Sequence, residues 1–392
     1  VVAVTAFAAG AQGALADGFR PAEDLATTGN PTIMQVATNQ SGESMAVWVH
    51  GTGSYNTIYA RRIAVDGTLG PIIPDLTTPN FDANRPQVAL DPDGNATLVW
   101  GWQDGASTEI PQTRQIAADG TIGPIHDLGP TQPTQSEPQV VVDQDGVATI
   151  VFRADGVGGQ TIWTRRVATD GAVGSPHQLS VLPGDATEPA VGLDSEGRAT
   201  VAWAYSSGGT TIQALRIAAD GTIGTTQNLV PPAAGFTSLP RVAVAGDGSA
   251  TIAWTRFINA ADSPVQIVQI AEDESVGSVH NIVVTGADAS GARVGVDADN
   301  NATIAWTSTG SGFVRTAKVS TLSADGTSGP VSNLATPAAG GNSPDVAVDP
   351  SGVATLTWAQ QNSSDLVQAR SMSADGVLGT TTDLSQTGAS NP

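Results

Sequence analysis

The chain has 392 residues with 37 acidic and 16 basic side chains, which gives a net charge of −21 at pH 7. This charge argues against binding to nucleic acids or anionic membrane surfaces, because their phosphates attract clustered cations. The absence of cysteine excludes disulfide bonds, thiol catalysis and cysteine-ligated metal sites. The 45 glycines, the 24 prolines and a charged fraction of 14% favour short strands joined by tight turns.

The first segments of the chain carry two patterns. Residues 1–16 are apolar and small and end in Ala14-Leu15-Ala16, which is typical of a secretory signal peptide and its cleavage site. An ordinary apolar strand is the alternative. Residues 17–31 begin with Asp17-Gly18 and repeat the pattern of the last strand of the units described below. We therefore expect a secreted or cell-surface protein. Residues 17–31 are expected to add an extra strand that closes a ring of units by pairing in the last unit; a longer array of such units is the alternative.

Residues 32–392 contain seven repeats of about 52 residues. The stretch "PQVALDPDGNATLVW" begins at Pro86, and "PQVVVDQDGVATIVF" begins at Pro138. The aromatic residue that ends this stretch recurs at intervals of 51 or 52 residues, as Trp48, Trp100, Phe152, Trp203, Trp254, Trp306 and Trp358. Such a period predicts an array of equivalent units.

Each unit predicts four strands, a to d, joined by turns. Six residues before the aromatic lies a turn residue that needs a positive φ, namely Gly42, Gly94, Gly146, Gly197, Gly248, Asn300 and Gly352. A second hairpin follows around Asp-Gly at 66–67, 119–120, 170–171, 220–221, 325–326 and 375–376, with Asp273-Glu274 in the fifth unit. The pattern therefore predicts two hairpins per unit.

One four-stranded sheet of this size cannot bury both of its faces, so the seven sheets are expected to pack radially. The sequence predicts an all-β fold, a seven-bladed β-propeller with four antiparallel strands per blade. The order Pro, apolar strand, Asp, turn Gly and "R-I-x-x-x-D-G" hairpin resembles the NHL type of propeller repeat, and "DPDGNATLVW" at 91–100 resembles the Asp-box of sialidase-like propellers. The resemblance covers residues 32–384 and implies seven blades. The units are longer than NHL repeats and lack the Asp-box serine, so it implies no particular activity.

Functional residues are expected on one face of the ring. The a–b and c–d connections share a face of short turns (the turn face), whereas the varied b–c and d–a connections share the other (the loop face), where function usually lies. The candidate ligand-binding residues follow the repeated aromatic at the mouth of the b–c connection: His50, Trp102, Tyr205, Arg256, Phe257 and Gln360. Aromatic rings and amides favour sugars; ordinary strand-end residues are the alternative. The repeated tryptophans themselves are expected in the core between blades.

No catalytic residues, metal site or cofactor are predicted. His126, His177 and His280 share one register in different units, so they cannot surround one zinc ion. The Asp pairs Asp91/Asp93, Asp143/Asp145 and Asp297/Asp299 are explained by turn chemistry, with weak Ca²⁺ binding as the alternative. The strand-c arginines are expected to be solvated or cross-strand partners: Arg62, Arg114, Arg166, Arg216 and Arg370. A phosphate-binding glycine loop and a Gly-x-Ser-x-Gly motif are absent from the sequence.

These patterns predict an exported, non-enzymatic recognition or adhesion module that binds a polysaccharide or a protein through the loop face. Nucleic-acid partners and membrane insertion are not expected. Two alternatives stay open. One is a secreted polysaccharide hydrolase or lyase with carboxylates in the central channel. The other is a passive scaffold domain of a longer surface protein.

Overall fold

The computed structural model describes residues 25, 31–103, 109–129, 137–156, 158–232, 236–258, 263–282, 288–310, 314–335, 340–360 and 366–384. Within these residues the chain forms seven four-stranded antiparallel sheets, and each sheet is built from four consecutive strands. The predicted all-β, seven-bladed propeller with four strands per blade is confirmed. The predicted signal-peptide remnant, residues 1–16, lies outside the described residues, and of residues 17–31 only Leu25 and Pro31 are described.

The strands of each blade follow the predicted order a, b, c, d. Blades 1 to 4 comprise β1 (Pro31–Thr38), β2 (Ser44–Gly51), β3 (Asn56–Ile63), β4 (Leu69–Ile73); β5 (Asp82–Leu90), β6 (Ala96–Gln103), β7 (Glu109–Ile116), β8 (His126–Asp127); β9 (Gln139–Val142), β10 (Ala148–Gly156), β11 (Gly159–Val167), β12 (His177–Gln178); and β13 (Asp185–Leu193), β14 (Ala199–Ser206), β15 (Thr210–Ile217), β16 (Gln227–Asn228). Blades 5 to 7 comprise β17 (Phe236–Val244), β18 (Ala250–Phe257), β19 (Val265–Ile270), β20 (His280–Ile282); β21 (Asp288–Val296), β22 (Ala302–Thr309), β23 (Arg315–Leu322), β24 (Ser332–Asn333); and β25 (Asn342–Val348), β26 (Ala354–Ala359), β27 (Val367–Met372), β28 (Thr382–Asp383).

Both predicted turn types have the expected backbone. The seven a–b turn residues all have positive φ, from 60° at Asn300 to 90° at Gly248. The c–d turns share this conformation, and Glu274 (φ 68°) takes the glycine place in blade 5. The first aspartate of each Asp pair holds its own turn, as when Asp143 Oδ1 accepts the Val147 N–H at 2.8 Å. The turn role predicted for these aspartates is confirmed.

The core lies between the blades. Strand a of each blade contacts strand a of the next from blade 1 to blade 7, so the a strands are innermost. We call the side of a blade that packs on the next blade its forward face and the opposite side its rear face. Each internal junction holds an apolar cluster, such as Val47 and Val49 of blade 1 against Leu98 and Trp100 of blade 2. The seven repeated aromatics lie on the rear faces and are at most 1% exposed, which confirms that they are core residues.

The strand-c arginines correct one expectation. The prediction that they are solvated is wrong for Arg216, which is buried and donates to the carbonyl oxygens of Gly248, Ala271 and Glu272 in the next blade. Arg62 makes the equivalent bonds from blade 1 to blade 2, and Arg166 reaches Ala219 O in blade 4. Arg114 and Arg370 have a cross-strand partner, as predicted, but also reach back to a carbonyl of the preceding blade. These side chains therefore link neighbouring blades.

Candidate functional site

The inner strands carry a repeated bulge close to the loop face. Strand a starts at this face, and in six blades its register with strand b shifts within the first six residues of strand a, as between Asn84 and Gln87. A bulge residue in the left-handed region occupies this place or its equivalent in blades 2 to 7: Arg85, Glu137, Glu188, Leu239, Gly291 and Ser343. Five of the six have a side chain, and each such residue costs on the order of 1–3 kcal/mol. Strain of this kind concentrates at functional sites.

Charged side chains at or beside these bulges make contacts from blade to blade along the innermost strands. Glu137 Oε2 accepts the N–H of Glu188 at 3.0 Å, and Glu188 Oε2 accepts the N–H of Leu239 at 2.6 Å, so one bulge holds the next. Arg153 Nη1 lies 3.4 Å from Glu137 Oε1. On blades 6 and 7, Arg293 Nε lies 3.7 Å from Asp345 Oδ1. We call Glu137, Arg153, Glu188, Arg241, Arg293 and Asp345 the axial charge cluster.

Burial shifts the pKa of two members of this cluster, Glu188 and Arg241. It raises the pKa of the Glu188 carboxyl, and the neighbouring Glu137 adds to the effect, whereas the Leu239 N–H and the nearby arginines oppose it. Burial also lowers the pKa of Arg241 to about 10, helped by the like charge of Arg293. Arg241 donates to Pro240 O at 3.0 Å, and among the described residues no carboxylate oxygen lies within 4.0 Å of its guanidinium. The guanidinium of such a half-buried arginine can donate to an additional hydrogen-bond acceptor.

The sign of the Glu188 shift predicts a pH effect on stability. A carboxyl whose pKa is raised in the folded state stabilises the protein below its unfolded pKa, and this contribution is lost as the pH rises through the folded pKa. We therefore expect the melting temperature of the wild type, relative to Glu188→Gln, to increase when the pH falls from 7 to 4. Asp220→Asn is the opposite control, because the Thr222 N–H lowers the pKa of Asp220. Parallel pH profiles for the two variants would contradict this assignment.

Exposed apolar side chains cluster on blade 5 at the loop face. Phe236 opens β17 and Phe257 closes β18, and the two are direct partners across the strands. Directly opposed residues project from the same side of the sheet. Their side chains are 69% and 43% exposed, and Leu239 and Ile258 nearby are also exposed. We call Phe236, Leu239, Phe257 and Ile258 the blade-5 apolar patch. A directly opposed pair of exposed aromatic rings is the kind of apolar surface that marks interaction sites.

The structure places the six sequence-predicted candidates on five different blades. His50 is buried, and its ring stacks on Tyr59 at a centroid distance of 4.1 Å, so it belongs to the packed interior. Trp102 is half-buried with its ring edge against Phe81, at 5.1 Å. The indole N–H of Trp102 is buried without a hydrogen-bond acceptor among the described residues. Tyr205 is half-buried and donates its hydroxyl to Pro183 O at 2.8 Å.

The remaining candidates are Arg256, Phe257 and Gln360. Arg256 and Gln360 are half-buried, and their backbone N–H groups donate across the mouth of the b–c connection, to Pro264 O and Leu366 O. Equivalent positions on different blades point outward at different angles, so the structure does not bring the six candidates into one pocket. Phe257 is the candidate that joins an exposed cluster, through Phe236, which the sequence reasoning did not select.

The axial charge cluster was also missed. The sequence pattern that could have revealed it is the pair of residues on either side of the proline of strand a. This pattern reads R-P-Q, E-P-Q, E-P-A, L-P-R and S-P-D in blades 2, 3, 4, 5 and 7. Polar residues that vary between units of an otherwise apolar repeat indicate positions whose side chains are not determined by core packing. In blade 6 Gly291-Ala292-Arg293 stands at the same place.

The described residues hold no group of three or more His, Asp or Glu side chains that could bind a metal ion. His126, His177 and His280 each open the outermost strand of their own blade. Across the same residues, no helix is long and apolar enough to cross a membrane.

Two solved β-propeller structures share the fold at low sequence identity. The chain resembles the BP39L lectin from Burkholderia pseudomallei, with a TM-score of 0.61 and 10% identity over 89% of this chain and 98% of the lectin. It also resembles the β-propeller domain of the trilobed protease from Pyrococcus furiosus, described as having an open velcro topology, with a TM-score of 0.52 and 7% identity over 90% and 97% of the two chains. The acylaminoacyl peptidase of Pyrococcus horikoshii has a TM-score of 0.49 and 9% identity, and the match covers 92% of this chain and 52% of the peptidase.

Neither a family model nor a curated protein sequence matches the chain. The resemblance to NHL and Asp-box repeats therefore stays a prediction, whereas the seven-bladed architecture that it implied is confirmed.

Proposed function

We propose that the protein is an exported, non-enzymatic recognition module that binds a neutral polysaccharide on its loop face. The observation that carries the proposal is the exposed pair Phe236 and Phe257 on blade 5. The apolar C–H faces of sugar rings pack on aromatic rings, and polar groups beside them bind the hydroxyls. The net charge of −21 disfavours an anionic polymer.

Polar groups toward the axis support the same proposal. Glu137, Glu188 and Asp345 supply hydrogen-bond acceptors, and Arg241 and Arg293 supply donors, along the inner strands that open onto this face. Half-buried Trp102 adds a further ring whose N–H lacks an acceptor among the described residues. A lectin shares the propeller architecture, so the fold is compatible with sugar recognition.

The test is binding to a panel of immobilised neutral and acidic polysaccharides. We expect the wild type to bind a neutral polymer, and we expect Phe236→Ala with Phe257→Ala to weaken binding at least tenfold at an unchanged melting temperature, because both rings are exposed. Val377→Ala is the matched control, since Val377 is 62% exposed on a c–d turn of the opposite face. Equal binding by the double variant, or binding of no polysaccharide, would contradict the proposal.

A second function, polysaccharide hydrolysis, is favoured by one observation: the two neighbouring carboxyls Glu137 and Glu188, of which Glu188 has a raised pKa. A raised pKa suits a general acid. Both carboxyls also accept hydrogen bonds from backbone N–H groups, which is a structural role. Release of reducing ends by the wild type, lost in Glu188→Gln, would support hydrolysis; no release by the wild type would leave the binding proposal in place.

A further inference from the structure

The rear face of blade 1 has an unusual neighbour. At two internal junctions, a strand-c arginine donates to the carbonyl of the leucine that follows strand d of the preceding blade: Arg114 donates to Leu76 O at 2.9 Å, and Arg370 donates to Leu334 O. On blade 1 the equivalent Arg61 Nη1 donates to Leu25 O at 3.1 Å. Leu25 is buried against Ala46 and Ile63. Leu25 thus occupies the place of the last leucine of a preceding blade.

Blade 7 has its own leucine for that place. Leu384 N–H donates to Val367 O at 2.8 Å, just as Leu76 N–H donates to Ile58 O in blade 1. If blade 7 packed on blade 1 in the internal register, Leu384 O would be the acceptor for Arg61. Because Leu25 is the acceptor instead, Leu25 and Leu384 are alternative occupants of one position.

The two end faces are more exposed than their internal equivalents. On the forward face of blade 7, Ala347 is exposed, whereas its equivalents are half-buried: Ala37, Ala89, Val141, Gly192, Ala243 and Gly295. Thr357 and Val367 are also half-buried, whereas the residues at the two equivalent positions of blades 1 to 6 are buried. On the rear face of blade 1, Val36 is 39% exposed, against 9% for its equivalent Val88.

The positions of Ala347 and Val36 have equivalents that are in contact at the junction of blades 4 and 5. A Cβ built on Gly192 of blade 4 would lie 3.1 Å from Val242 Cγ1 of blade 5. Gly192 is the equivalent of Ala347, and Val242 is the equivalent of Val36. The end faces therefore carry the two halves of an established type of interface, and repeat arrays are stabilised by such nearest-neighbour interfaces.

We propose that these end faces are an assembly surface, and that the forward face of blade 7 of one copy packs on the rear face of blade 1 of a second copy, with Leu384 displacing Leu25 from Arg61. Blade 7 is connected to blade 1 of the same chain through the intervening blades. Ala347 on blade 7 and Val36 on blade 1 nevertheless remain exposed. The matching surface of a second copy can cover both. Such a head-to-tail contact uses different faces of the two copies and so extends to longer assemblies.

The experiment is cysteine cross-linking of the double variant V36C/A347C, which is unambiguous because the chain has no cysteine. At the junction of blades 4 and 5, a Cβ at the position equivalent to Ala347 would lie 3.1 Å from Val242 Cγ1 at the position equivalent to Val36, so cysteines at the two positions are neighbours when such faces meet. On mild oxidation we expect disulfide-linked dimers and a ladder of longer species on a non-reducing gel, in a fraction that rises with protein concentration. Single variants should give no ladder beyond dimers.

The matched control is A89C/V140C, the same pair at the junction of blades 2 and 3, which should form a disulfide within one chain. If the control cross-links and V36C/A347C gives a monomer closed by its own disulfide, the seventh blade of the same chain covers blade 1 and the proposal is overturned. If the control cross-links and V36C/A347C forms no disulfide, the two faces do not meet, which also overturns it.

Discussion

Trp254→Ala is expected to lower the free energy of unfolding by about 3–5 kcal/mol, the cost of truncating a large buried ring. The Trp254 side chain is completely buried at the junction of blades 4 and 5, among Ile252, Val268 and Ile212. Its indole N–H donates to Gln266 Oε1 at 3.0 Å, so the substitution also leaves a buried acceptor without its partner. Urea unfolding followed by circular dichroism measures the effect.

The control is Trp102→Ala, which removes the same side chain from a half-buried place at the loop face. We expect it to cost clearly less stability, because less apolar surface leaves its packed environment. A Trp254→Ala variant with unchanged stability and lost polysaccharide binding would mean that the repeated tryptophans contact ligand rather than the neighbouring blade.

The second large effect is expected for Arg216→Ala, at about 3 kcal/mol of lost stability. Arg216 links strand c of blade 4 to blade 5 by donating to Glu272 O at 2.6 Å, to Ala271 O at 2.8 Å and to Gly248 O. Removal of the guanidinium leaves these carbonyls without that donor, and hydrogen bonds from charged donors are stronger than neutral ones. Thermal and urea unfolding of the full chain measure the loss.

Two variants distinguish the loss of the inter-blade hydrogen bonds of Arg216 from a general effect of removing an arginine. Arg216→Lys keeps the charge but not the planar fork, so we expect an intermediate loss. Arg165→Ala removes an arginine for which one inter-blade bond is seen, to Asp127 O at 3.0 Å, and should cost about 1 kcal/mol. Equal stability of Arg216→Ala and Arg165→Ala would show that the three carbonyl contacts do not hold the blades together.

The architecture could be predicted because it repeats. A turn glycine at a fixed distance from a tryptophan identifies the same hairpin in each unit, and seven copies of one weak pattern outweigh any local ambiguity. The buried state of Trp254 followed from the alternation of its strand. The blade as a unit was therefore predictable from residues close together in the sequence.

The site could not be predicted to the same extent, because it depends on departures from the repeat. The bulge in strand a inserts a residue with positive φ at Glu188, and a register shift of this kind leaves no reliable pattern in sequence. The contact of Glu137 with Glu188 joins residues about one repeat apart, across two blades. The pairing of Phe236 with Phe257 likewise could be seen only from the register of strands a and b. Each residue lies at the end of its strand beside a variable connection, where the repeat pattern does not define the register. The place of Leu25 beside Arg61 depends on a contact at the rear face of blade 1 that the repeat pattern does not specify.

The most direct test of the central claim, that the loop face recognises a polysaccharide, is amide hydrogen exchange with and without the polymer bound in the panel experiment. We predict slower exchange at the loop-face ends of β17 and β18, around Thr237 and Phe257, and unchanged exchange at the a–b and c–d turns. Protection of the turns with no change at the loop face would contradict the account.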